Sequence, residues 1–135
     1  MPRKTGSNNP ADWLFLAESE LEGVTELTER KLSYVLCRSK LAEILEKVLK
    51  AELIRRGWFL IKTHEVVKLN DELRDRDPQL ADELQPLVEA LAEAYLTDRY
   101  PGFDLDDPDW PALRVQVRQV ATVLAKVKAR IAGRS

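Results

Sequence analysis

The stretch LRVQVRQVATVLAKVKARI, residues 113–131, decides the fold. Its apolar residues Leu113, Val117, Val120, Leu124, Val127 and Ile131 follow one another at spacings that alternate between four and three. That is the step of a helix presenting one unbroken stripe to its neighbours. Working back along the chain, RYPGFDLDDPDWP (99–111) is a break. Before it, Leu80, Leu84, Leu87, Leu91 and Ala94 repeat the same rhythm, with Pro86 marking either a kink or the true start of that helix. Further back, Leu32, Val35, Leu36, Leu41, Leu45, Val48, Leu49 and Leu53 cover a face too wide for a surface helix. The spacing predicts the central, most buried helix from about Glu29 to Gly57, with the glycine as its stop. Asn9 before Pro10 reads as a cap with proline at the first helical position, opening a helix with Leu14, Ala17, Leu21 and Val24 inward and ending near Thr28.

A short helix fits between the second and fourth: Thr63 can cap it, and Val66, Val67 and Leu69 are its apolar residues before RDRDP ends it. The expected fold is all-α, an up-and-down antiparallel bundle of four long helices plus one short helix. It should occupy one domain, residues 10–132, behind a disordered tail of residues 1–9.

Composition narrows the chemistry. With 44% apolar and 33% charged residues the chain patterns as a globular protein, and no run reaches the roughly 18 apolar residues that a membrane span needs. Without an apolar leader behind Arg3 and Lys4, a cytoplasmic location is expected. One histidine and one cysteine cannot furnish a zinc site or the paired Glu-x-x-His of a di-iron bundle, and glycine-rich phosphate loops are absent. No cofactor is therefore expected, and Cys37 reads as a buried, inert thiol.

The net charge of −2 is unevenly spread. Residues 1–64 carry 11 basic and 9 acidic side chains, residues 65–110 carry 4 and 14, and residues 111–135 carry 6 and none. The basic last helix can therefore lie on the acidic segment, meet an acidic partner, or be a solvated face. A pI near 5.5 argues against generic affinity for nucleic acid.

The groups best suited to phosphate are Lys47 and Lys50 on the second helix, Arg55 and Arg56 at its end, Lys62 and His64 beside a helix start, and Arg99. Cations next to helix N-terminal amides make an anion site. The alternative for the lysines is a pair of i,i+4 surface ion pairs, Glu43 with Lys47 and Glu46 with Lys50.

EKVLKAELIRRG, KTHEVVKL and RYPG, in this order and at these separations, resemble the HEPN domain family, small helical proteins of bacteria and archaea often encoded beside a minimal nucleotidyltransferase. Glu46, Lys47, Lys50 and Ala51 fit its Glu-Lys-x-x-Lys-Ala pattern, Lys62, Thr63 and His64 its Lys-Thr-His helix start, and Arg99, Tyr100 and Pro101 its Arg-Tyr-Pro. Ala42 and Glu43 stand where many members carry two glutamines. The resemblance implies a homodimer that binds a nucleotide or RNA, or a partner nucleotidyltransferase in a toxin–antitoxin-like pair. Lys47, Lys50, Lys62, His64, Arg99 and Tyr100 are the nucleotide-binding candidates it marks.

Some branches of that family are ribonuclease toxins with an Arg-x4-6-His motif. Here the required arginine positions before His64 hold Gly57, Trp58 and Phe59, while Arg56 is one place too far; the histidine positions after Arg99 hold Asp104, Leu105 and Asp106. Cleavage through a 2′-hydroxyl needs a group that moves protons near neutral pH, and carboxylates at those places repel phosphate. The sequence thus favours a non-catalytic binding module. The other readings are a divergent ribonuclease toxin using His64 or Arg99 differently, and a structural dimer subunit whose Trp58, Phe59, Phe103 and Trp110 cover an interface or the bundle's own ends.

Overall fold

The computed structural model describes residues 7–57, 65–99 and 107–133, with 94–99 as backbone. The described residues form five helices: α1 (Pro10–Glu29), α2 (Tyr34–Arg55), α3 (Val66–Arg74), α4 (Pro78–Arg99) and α5 (Trp110–Ile131). The all-α reading of four long helices and one short one holds, and no strand occurs among the described residues.

Local chemistry sets the helix ends. Asn9 accepts a hydrogen bond from the Ala11 amide at 3.0 Å, with Pro10 opening α1. Asp109 does the same for α5, accepting from the Ala112 amide at 3.1 Å. Gly57 follows α2 with φ +88°, a left-handed conformation that costs glycine least, and its amide bonds to the Ile54 carbonyl.

Two boundaries differ from the sequence reading, as does one of the two readings of Pro86. The second helix begins at Tyr34, not near Glu29, because the chain turns through Lys31 (φ 55°) and Ser33 (φ 56°). Neither is a glycine, so no residue type announced the break. Leu32, Val35 and Leu36 consequently leave the inward face and stand exposed. The cap of α3 is Glu65, whose side chain makes no capping bond to the helix amides, rather than Thr63. Val67 is exposed, while Leu73 and Asn70 are buried in its place. Pro86 lies inside α4, one turn past Asp82, and is neither its start nor its end.

Side-chain pairs fix the topology. Glu20 of α1 meets Lys40 and Lys47 of α2, Trp13 meets Lys50, and Glu29 and Glu18 of α1 meet Arg114 and Lys128 of α5. Asp77 at the head of α4 meets Arg130 at the tail of α5. The four long helices therefore alternate in direction. α2 packs with α1 and α5 on one side and with α3 and α4 on the other. Leu41, Ile44, Leu45, Val48, Leu49 and Leu53, all at most 1% exposed, form the centre of one core. Each such side chain contributes roughly 1.5–3 kcal/mol of burial.

Candidate functional site

The family-marked lysines of α2 point into the seam with α1. Lys47 is ion-paired with Glu20. Lys50 is buried, donates to Glu46 at 2.8 Å, and holds its ammonium 5.1 Å from the centroid of the Trp13 ring. The i,i+4 pair expected for Glu46 and Lys50 exists, but it is an interior pair, not a surface one. Lys47 reaches across to α1, and Glu43 accepts instead from Lys40 at 2.7 Å. Interior placement follows from register: α2 is wrapped on two sides, so even its polar positions near the middle face a neighbour.

One turn further on, α2 carries a second interior carboxylate. Glu52 is 0% exposed. Arg55 Nε donates to its Oε1 at 2.5 Å, Arg56 Nε lies 3.6 Å from its Oε2, and Arg130 of α5 donates to Oε2 as well. Arg130 also stands 3.0 Å from Asp77, which accepts from Arg56 Nη2 at 3.4 Å and from the Leu80 amide at 3.1 Å. Arg56 Nη1 donates to the Arg76 carbonyl. Three guanidiniums thus converge on two carboxylates where α2 and α5 end and α4 begins.

Burial pushes the Glu52 carboxyl up, but hydrogen bonds and charge from Arg55 and Arg130 outweigh it, and the group lies below its ordinary range. Asp77 behaves alike: burial raises it, and the Leu80 amide with Arg130 brings it below its usual value. Both are therefore carboxylates at neutral pH, and one positive charge of the cluster has no counterpart within it.

Glu52, Asp77 and Arg130 escaped the sequence reading. Glu52 stands three and four residues before Arg55 and Arg56, a spacing that does signal an ion pair. Nothing local places Asp77 or Arg130 beside them.

Lys62, His64 and Tyr100 lie outside the described residues, as do Thr63, Trp58, Phe59, Phe103, Asp104 and Asp106; Arg99 ends α4, its side chain not described. Of the four aromatics considered for an interface, Trp110 packs edge-on against Tyr34, centroids 5.3 Å apart, over the bundle's own end. Cys37 is buried, and burial raises its thiol above the ordinary value, which keeps it protonated and unreactive. Among the described residues no group of three or more His, Cys, Asp or Glu is placed to hold a metal ion, and no helix is long and apolar enough to cross a membrane. A groove of about 470 Å³ between α4 and α5 has Leu80, Leu84, Leu87 and Val123 along its floor, which suits apolar side chains more than phosphate.

Compared with known proteins, the chain matches the model of the HEPN domain over residues 10–128. No curated protein and no solved structure is significantly similar to it.

Proposed function

The chain belongs to the HEPN domain family, and from that premise we propose that it is a non-catalytic, cytoplasmic binding module: a homodimeric bundle that takes a nucleotide or RNA, or docks on a partner nucleotidyltransferase in a toxin–antitoxin-like pair. The observation that carries this reading is the family match along nearly the whole helical region, residues 10–128. Against catalysis stands the sequence spacing, which offers no arginine four to six residues before His64 and no histidine at that distance after Arg99. In this reading Lys62, His64, Arg99 and Tyr100 supply contacts to the ligand. Lys47 and Lys50 already serve Glu20 and Glu46 and contribute less.

Isothermal calorimetry with ATP, GTP and a short RNA is the test, together with co-purification of a nucleotidyltransferase from cells expressing the tagged chain. Heat with a nucleotide or RNA, or a captured nucleotidyltransferase, is expected. Silence in both sinks the reading. Growth arrest on expression that His64→Ala abolishes would turn it toward a ribonuclease.

A further inference from the structure

Among the described residues the arginine cluster around Glu52 is held by more than its own helix, and it is only partly used. Arg55 has no partner but Glu52, so its Nη1 and Nη2 donate to nothing among the described residues. Arg130 bonds through Nη1 alone, leaving Nε and Nη2. Arg56 is fully engaged, with Glu52, Asp77 and the Arg76 carbonyl. The three side chains are 29%, 28% and 23% exposed in sequence order, so each reaches water while tied to the buried carboxylate.

A guanidinium held by a buried carboxylate loses little freedom when it takes a second acceptor, which is how arginine is prepared for bidentate contact with an oxyanion. Arg55 and Arg130 bind the two oxygens of the same carboxylate, Oε1 and Oε2, which tethers both guanidiniums to one buried group. Two carboxylates cancel two of the three charges. The remaining one, together with the unused N–H groups, favours an anion over a cation or a neutral ligand.

We propose that this end of the bundle, where Arg55 and Arg130 flank Glu52, binds the phosphates of a free nucleotide. The proposal rests on the reading that the chain binds a nucleotide, but it puts the phosphates at the Asp77 end of α4, about 30 Å along that helix from Arg99, so Arg99 of the same chain is not a contact of this ligand. A small anion fits better than a nucleic-acid strand, because the cations sit at one spot rather than along a track and the chain as a whole is acidic, with a pI near 5.5. Arg55 is the diagnostic residue, since it can be changed while Arg56, Arg130 and Asp77 keep their mutual bonds.

Calorimetry of the full chain with ATP, pyrophosphate and adenosine, at low and at moderate salt, tests it. ATP and pyrophosphate should bind, more weakly as salt rises, and adenosine should not. Arg55→Gln should weaken ATP about tenfold or more, the loss expected for a charge-assisted contact, with Arg55→Lys intermediate and thermal melts checking that each variant folds. Arg130→Gln should weaken ATP likewise, and if it does not fold, Arg55→Gln alone decides. Unchanged ATP affinity in Arg55→Gln overturns the assignment while leaving the nucleotide-binding reading intact. Equal binding of adenosine, or binding of short RNA without ATP, also overturns it. No heat with any nucleotide or RNA overturns both.

Discussion

Glu46 and Glu52 lie six residues apart on α2, both inside the protein, and each is met by cations. Around Glu46 the arrangement is closed: its pair with Lys50 is 2.8 Å long, both side chains are at most 9% exposed, and the Trp13 ring lies beside the ammonium. Around Glu52 it is open: the carboxylate is wholly buried, but its three arginines keep between 23% and 29% of their side chains in water. A buried carboxylate and ammonium beside an aromatic ring behave as part of the core. A buried carboxylate ringed by partly exposed arginines behaves as a mount that holds those groups near the surface. Burial alone therefore does not tell a structural ion pair from a prepared binding surface; the exposure of the partners does.

Removing the mount should have the largest effect. Glu52→Ala leaves three arginines facing one another and Asp77, and urea unfolding at neutral pH should show a loss in the lower part of the range of about 3–5 kcal/mol, since the arginines can turn to water. A loss under about 1 kcal/mol would mean that the cluster is not held as described. Breaking the closed pair comes next. Lys50→Met takes the buried ammonium away from the Glu46 carboxylate and should cost about 2 kcal/mol in urea unfolding. A loss no larger than that of an exposed pair, under about 1 kcal/mol, would erase the distinction between the two sites.

The smallest effect is in pH. Glu52 and Asp77 have folded-state pKa values below their unfolded ones. Their contribution is therefore complete above the ordinary carboxylate range, roughly pH 4–4.5, and disappears as pH falls through the depressed folded values. Unfolding free energy followed from pH 6 to pH 2.5 should fall less steeply in Glu52→Gln than in the parent. Parallel curves would show that Glu52 does not titrate low.

What the sequence made legible, and what it hid, follows from the range of the forces involved. Helix α5 could be read completely because each of its inward residues lies three or four positions from the next, and the caps at Asn9 and Asp109 because the bonds close within two or three residues. The turn at Lys31 and Ser33 could not, since a left-handed conformation in a non-glycine residue leaves no compositional mark. At the candidate site, Arg55 and Arg56 were visible as cations suited to phosphate, and their spacing from Glu52 was there to be seen. The meeting with Asp77 and Arg130 depends on three helices ending at one level, a long-range result that no local pattern encodes. The lysine pair misled for the same reason: i,i+4 spacing predicts contact but is silent on whether another helix covers it.

The bond between Glu52 and Arg130 joins residues 78 apart in the chain. Such a contact closes a long loop, and it can form only after α5 has returned along the whole length of α2. Arg130→Gln is therefore expected to raise the unfolding rate more than it lowers the folding rate, as stopped-flow mixing with urea would read. The arginines offered to a ligand also tie the end of α5 to the end of α2, and an anion bound there is expected to slow unfolding.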